Sequence, residues 1–234
     1  MSKIYFVMPA YNEAENIEDT IKQWYPIVER SGKDCRLVIA NDGSKDDTFS
    51  IMDSLRSQYP QFEPLNKQNS GHGATVLYLY RYAMEHGADY IFQTDSDGQT
   101  MPDEFDGFWQ MRHGYKGIFG HRVVRGDGKS RAFVEKVVCF LIKCYFHVKV
   151  PDANAPFRLM DAKTVAKYLP RLDKDYNLPN IMMTTYFAYY KEEMVFKQVT
   201  FRPRQGGKNS INIRKIVKIG WKALKDFRDL KKAM

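Results

Sequence analysis

Tyr90-Ile91-Phe92-Gln93-Thr94-Asp95-Ser96-Asp97-Gly98-Gln99 is an apolar strand that runs straight into two acidic residues spaced i, i+2, a glycine and an amide. An apolar run ending in turn chemistry delivers side chains to the carboxyl edge of a sheet, where open α/β folds bind ligands. Asp95, Asp97 and Gln99 alternate with Ser96 and Gly98, so an extended or turning backbone points three oxygen-bearing side chains one way. Hard divalent cations such as Mg²⁺ and Mn²⁺ take oxygen ligands and bridge one or two carboxylates to a substrate diphosphate. A bare D-x-D is also common in surface loops, where each Asp makes only turn hydrogen bonds. The segments on either side decide between the two.

Upstream, Lys3 to Met8 reads as a buried first strand, ended by Pro9-Ala10-Tyr11-Asn12-Glu13. Asn12 with Glu15 three residues later gives a capping-box start for a helix reaching about Arg30. A second strand over 36–40 closes on Asn41-Asp42-Gly43-Ser44, and a helix over about 46–57 follows. A weaker strand falls near 62–65. Asn69-Ser70-Gly71-His72-Gly73 then opens a helix of good formers that Gly87 stops. His72 either faces a ligand or caps that helix, and the capping role is favoured. This alternation predicts a parallel, doubly wound α/β sheet, with the three loops after its strands on one edge.

Downstream, Pro102 starts a helix to about Arg112, and 116–120 is a short strand before the polar segment His121 to Ser130. An amphipathic helix is expected over 131–148, a strand over 156–160, a helix over 178–190 and a strand over 195–201. A last helix runs from about Asn212 to Leu230. No repeat or low-complexity tract interrupts the chain.

The 234 residues, 44% hydrophobic and 14% aromatic, suffice for one large domain with a full core. No signal peptide is recognisable, and the greasiest run, 137–146, is broken by Lys143. Cys35, Cys139 and Cys144 lack metal-ligand spacing and read as reduced thiols in a cytoplasmic protein. The net charge of +8 is concentrated: from Arg202 onward eleven Lys or Arg stand against Asp226 and Asp229, leaving 25 basic and 26 acidic residues before them. A neutral body with a basic tail suggests an anionic membrane surface, a phosphate-rich ligand or a nucleic acid as local partner.

The first strand lacks G-x-G-x-x-G, which argues against a dinucleotide, and no P-loop or glycine-rich phosphate loop is present. Pro9 to Glu13, Asn41 to Ser44 and Asp95 to Gln99, in that order and spacing, resemble the family-2 glycosyltransferases of GT-A fold. Gly120-His121-Arg122, Asp152 to Leu159, and Arg204 with Gly207 and Ser210 resemble the polyprenyl-phosphate, dolichyl-phosphate mannose synthase-like branch of that family. The likeness covers roughly residues 3–215, and implies an α/β GT-A domain over 1–211, a mostly parallel sheet flanked by helices, followed by a basic amphipathic helix over 212–234.

The resemblance implies inverting transfer of a sugar from a UDP- or GDP-sugar donor with Mg²⁺ or Mn²⁺. It puts Pro9, Ala10, Tyr11, Glu13, Asp42, Gly71, Gly73, Asp95 and Ser96 at the nucleotide sugar, and Asp95, Asp97 and Gln99 at the metal. Asp97, Arg122, Arg131 and Arg204 become the catalytic set, Arg204 clamping the diphosphate, with Arg122 and Arg131 as candidates for an acceptor phosphate. Two departures stand out. Asn41 replaces a usual Asp, and Ala155-Pro156 replace Ser-Gly before Phe157-Arg158. Members that use a sugar hydroxyl as acceptor carry a Glu-Asp pair near 176–180, where this chain has Asn177, Leu178, Pro179 and Asn180. A phosphate monoester is already ionised near neutral pH and attacks without a base, so a lipid phosphate is favoured over a glycan hydroxyl. Asp152 and Asp173 are the remaining candidate bases.

In the tail, Ile213, Ile216, Val217, Gly220, Trp221, Leu224 and Phe227 recur at helical spacing among lysines. Such a helix packs on its own domain or lies in a membrane interface, giving peripheral contact with the cytoplasmic face. The aromatic interleaving and recognition-helix chemistry of a nucleic-acid binder are missing, so no nucleic acid is expected.

Overall fold

The computed structural model describes residues 2–123 and 129–203 (129–131 by backbone alone) together with Phe227, Arg228 and Lys231. Four strands, β1 (Ile4–Ala10), β2 (Arg36–Asp42), β3 (Phe62–Lys67) and β4 (Tyr90–Gln93), pair in parallel in the order β3-β2-β1-β4. The sheet continues through β5 (Gly117–His121), β6 (Arg158–Asp161) and β7 (Met194–Gln198). β6 lies between β4 and β5 and is antiparallel to both, while β7 runs parallel to β5 at the outer edge. The sheet is thus mostly parallel, as the resemblance to a GT-A fold implies. The four parallel strands are joined by crossover helices, as parallel pairing requires.

Strict alternation along the central strands feeds two cores, one on each face. Ile4, Phe6, Met8 and Ala10 of β1 with Leu37 and Ile39 of β2 face α1 (Ile17–Ser31) and α2 (Thr48–Leu55). Phe105 and Phe108 of α4 (Phe105–Met111), entered through a single 3-10 turn, complete that layer. Tyr5, Val7, Val38 and Ala40 point the other way into the layer of α3 (His72–Glu85), α5 (Lys129–Phe146), α6 (Ala162–Tyr168) and α7 (Pro179–Tyr189).

Most boundaries fall within two or three residues of their expected places. The capping box does not form: α1 begins at Ile17, and Asn12 instead adopts φ 53° and receives the Lys45 N–H on Oδ1. Asn tolerates that left-handed backbone and trades the cap for a loop bond. α6 has no counterpart among the expected elements. It is capped by Asp161, whose carboxylate accepts from Thr164 N–H. The expected helix over 212–230 and the boundary at 211 lie outside the described residues, apart from Phe227 and Arg228. Phe227 is 1% exposed, its ring 5.6 Å from that of Phe146 and 6.4 Å from that of Tyr145. That residue of the tail packs on the domain. Among the described residues no helix is long and apolar enough to cross a membrane.

Candidate active site

Because β1, β2 and β4 are parallel and adjacent, the segments leaving their carboxyl ends meet. Ala10 stands opposite Asn41, and Val7 opposite Gln93. Side-chain to backbone bonds sew these segments together. Ser96 Oγ donates to the Pro9 carbonyl at 2.8 Å, and Thr20 Oγ1 donates to the Ser96 carbonyl at 3.1 Å. Asn12 N–H donates to Ser44 Oγ at 2.9 Å, and Glu13 N–H to Thr48 Oγ1 at 2.8 Å. Pro9, Ala10, Glu13 and Ser96 are buried and Tyr11 is half-buried. The Ser96 hydroxyl, expected at the nucleotide sugar, is spent fastening the acidic loop to β1.

In that loop Asp97 Oδ1 accepts the Gln99 N–H at 3.2 Å, an Asx-type turn that sets its shape. Gln99 is buried and tied to the chain beyond β7: its Nε2 donates to the Arg202 carbonyl at 2.7 Å, and its own carbonyl accepts Arg202 N–H at 2.9 Å. Asp95 Oδ1 is buried and has no hydrogen-bond partner among the described residues. A buried, unpartnered carboxylate oxygen is costly unless a cation or ligand satisfies it. Among the described residues no three His, Cys, Asp or Glu gather as a metal cluster. The bare Asp95 oxygen, with Asp97 two residues on, would suit a hard cation that takes its other ligands from a diphosphate.

Asp42 is engaged differently from expectation. Oδ1 accepts from Lys67 Nζ at 2.5 Å and Ser70 N–H at 2.8 Å, and Oδ2 from Gly71 N–H at 2.9 Å. Lys67 Nζ also donates to the Gln68 carbonyl and Ser70 Oγ. Burial by itself raises the Asp42 pKa, but the bonds from Lys67, Ser70 and Thr75 outweigh it and hold the carboxyl below its ordinary range. Both oxygens therefore hold the loop before α3 rather than reach outward to a base or ribose. Gly71 has φ 90°, with open space where a side chain would stand. At Gly73 a Cβ would lie 2.5 Å from the Tyr176 and Asn177 carbonyl oxygens, so this glycine lets α3 seat against that backbone. His72, the first residue of α3, is exposed, and no side chain caps the helix.

Across β5 and β6 the polar groups are charged and deeply buried. The Arg122 guanidinium grips Asp152 through two bonds of 2.8 Å and reaches Glu135 of α5 at 3.4 Å. Glu135 Oε1 accepts the N–H groups of Ala153 at 2.8 Å and Asn154 at 3.3 Å. Arg122 is therefore committed within the protein and does not stand free for an acceptor phosphate, and Asp152 is likewise not a free base. Arg158 is fully buried, donating to the carbonyls of Ala155 and Asn180 and to Thr184 Oγ1. Burial depresses its pKa, while Tyr80, Asp152 and Asp95 push back. Arg131 is described only as a position on α5, and Arg204 lies outside the described residues, two beyond Arg202.

Glu135, Lys67 and Arg158 received no role from the sequence. Glu135 carries the one available signal, being the sole acid in α5.

The sequence profile described as "Glycosyl transferase family 2" matches residues 5–169. The chain is 33% identical over 113 residues to dolichyl-phosphate beta-glucosyltransferase ALG5C of Trichomonas vaginalis, a match covering 45% of this chain and 33% of that protein. It is 23% identical over 219 residues to undecaprenyl-phosphate mannosyltransferase of Micrococcus luteus, covering 90% and 88%. Matches to the first curated relatives span 33% to 64% of those proteins' lengths. The crystal structure of glucosyl-3-phosphoglycerate synthase from Mycobacterium tuberculosis in complex with Mn²⁺, UDP and glucosyl-3-phosphoglycerate superposes with a TM-score of 0.66. Identity there is 16%, over 94% of this chain and 75% of that one, and the likeness is one of GT-A fold. With a profile that runs from β1 through α6 and a sheet of GT-A order beneath it, the chain belongs to glycosyl transferase family 2.

Proposed function

We propose that the chain transfers a sugar from a nucleoside-diphosphate donor, with inversion, to a polyprenyl phosphate, using Mg²⁺ or Mn²⁺ held by Asp95, Asp97 and Gln99. The observation that carries this reading is the buried, unpartnered Asp95 Oδ1 beside Asp97 at the carboxyl edge of the parallel strands. When bound, the cation supplies positive charge to the diphosphate as that group departs. In a single displacement an acceptor oxygen bonds to the anomeric carbon as its bond to the diphosphate breaks, which inverts the centre. The chain's own part is positional. Ser96 and Thr20 fix the acidic loop to β1 and α1, and Gln99 fastens it to the segment that leads on to Arg204.

The acceptor assignment rests on which carboxylates have other work. Asp152 is held by Arg122, and Asn180 stands in the stretch where a Glu-Asp base pair would fall. A phosphate acceptor needs no base. Two relatives named for dolichyl- or undecaprenyl-phosphate transfer support the same class.

Melting temperatures measured with UDP-, GDP-, dTDP- and CDP-sugars, each with and without Mn²⁺, test the donor side, since a ligand that binds only the folded state raises stability. One nucleotide is expected to give a metal-dependent rise. Asp97→Asn is expected to abolish that rise and cut transfer to a short-chain polyprenyl phosphate by roughly 100-fold or more, the scale of losing one charge-stabilising element. Turnover indifferent to chelator or to Asp97→Asn would sink the metal assignment.

A further inference from the structure

The inner face of α5 belongs to the site, because Glu135 reaches Arg122 and the 153–154 backbone from it. Its outer face carries exposed apolar side chains. Phe133 is 67% exposed, Val137 39% and Phe140 63%. At spacings of four and three these three side chains form one stripe about 10 Å long. Cys144, also exposed, extends the line one turn further. Exposed large apolar side chains in contiguous array mark an interaction surface, whereas scattered ones need no explanation.

Charge selects the occupant. Lys136 and Lys143 are exposed alongside the stripe, and Lys149 follows just beyond the helix. Glu135, the sole acid of α5, is turned inward. At the far end Phe227 packs on Tyr145 and Phe146, and the exposed Arg228 follows it in sequence. Every exposed charged side chain described on these two segments is basic. Aromatic and aliphatic side chains flanked by lysines, with no exposed carboxylate among the described residues of these segments, are what an anionic phospholipid surface attracts. A protein partner with an acidic rim would also fit the charge, but a single-helix stripe of two phenylalanines and a valine beside lysines is the pattern of an interfacial helix, suited to insertion among acyl chains.

We propose that α5, through Phe133, Val137 and Phe140 with Lys136 and Lys143, is the surface by which this enzyme docks on an anionic phospholipid bilayer. Since Glu135 sits on the opposite face, docking would leave one helix diameter, roughly 10 Å, between the bilayer surface and the Arg122–Asp152 pair. This deepens the lipid-phosphate reading and rests on it for its purpose, though its test does not.

The test is flotation of the full chain, without donor or acceptor, on vesicles of phosphatidylcholine alone or with about 30% phosphatidylglycerol. Wild type is expected to float with the anionic vesicles. Phe133→Ser/Phe140→Ser and, separately, Lys136→Glu/Lys143→Glu are each expected to lower the partition coefficient about tenfold or more. Both variants change exposed side chains, so melting temperatures should stay close to wild type. Wild type that fails to float, or variants that float equally well, would overturn the proposal. So would a wild-type dimer in sedimentation velocity that Phe133→Ser/Phe140→Ser converts to monomer, since a second copy would then cover the stripe. Transfer to a water-soluble short-chain prenyl phosphate, assayed without vesicles, separates the two readings. Its absence alongside normal flotation removes the acceptor assignment and leaves the docking surface supported.

Discussion

At the carboxyl ends of β1 and β4, loops are held mainly by neutral bonds, hydroxyl to carbonyl and amide to hydroxyl, around one carboxylate oxygen left bare, and the loop after β2 adds the Asp42–Lys67 ion pair. On the other half, between β5, α5 and residues 152–158, two guanidinium groups are buried among carboxylates and carbonyls. The first arrangement fixes loop shape while sparing Asp95 for a ligand. The second uses full charges as structural rivets, which raises the cost of removing any one partner. A buried arginine is therefore not by itself a sign of phosphate recognition.

The largest effect should come from breaking that rivet. Arg122→Ala leaves Asp152 and Glu135 buried without their counter-charge, and the expected loss is about 3–5 kcal/mol of unfolding free energy, read by urea denaturation. A loss below about 1 kcal/mol would mean the guanidinium is held lightly enough to serve a ligand, and the contrast between the two halves would weaken.

Gly73→Ala probes the seam between the halves. The added Cβ meets the Tyr176 and Asn177 backbone at 2.5 Å, and backbone cannot step aside as a flexible side chain would. Overpacking of this kind is expected to cost about 1–3 kcal/mol. A melting temperature equal to wild type would show that the 176–177 segment yields.

These two positions also show what a sequence can and cannot disclose. The acidic edge was legible because its geometry is local. A strand, a turn residue and an acid lie within ten positions, and parallel crossovers bring such ends together by topology alone. Asn12 was misread because the same residue type serves a helix cap or a left-handed loop, and only Lys45, 33 positions on, decides. On the arginine side the partners are remote: Arg122 to Asp152 spans 30 residues and Arg158 to Thr184 spans 26. No spacing rule flags such pairs. The reversal at β6 and the existence of α6 depend on the same long-range packing.

A smaller effect is expected at Asp42. Its folded-state pKa lies below the unfolded value of about 3.9. Its stabilising contribution is therefore present above that value and is lost as pH falls through the folded pKa. Asp42→Asn should lower stability by about 1–2 kcal/mol near pH 7, the scale of charge-assisted hydrogen bonds. The gap to wild type should close as pH drops from about 4 toward 2. A gap that persists undiminished at acid pH would assign the loss to shape rather than charge.

The smallest effect should come from restoring the acid that the family resemblance leads one to expect at position 41. Asn41 Nδ2 donates to Asn66 Oδ1 at 2.8 Å across the β2–β3 register, and Asn41 Oδ1 accepts from the Ser44 backbone and hydroxyl. Asn41→Asp keeps both Ser44 bonds and loses only the donor toward Asn66. Asn66 is exposed on the edge strand, so its amide can turn and donate instead. A buried carboxylate next to Asp42 adds repulsion, which the Lys67 ammonium partly offsets. The net change is expected to stay under about 1 kcal/mol, with the donor KM moved less than about twofold. Should Asn41→Asp raise kcat/KM tenfold, residue 41 would belong to the donor site and not to the loop's own scaffolding, and the neutral stitching of the acidic edge would have a catalytic cost.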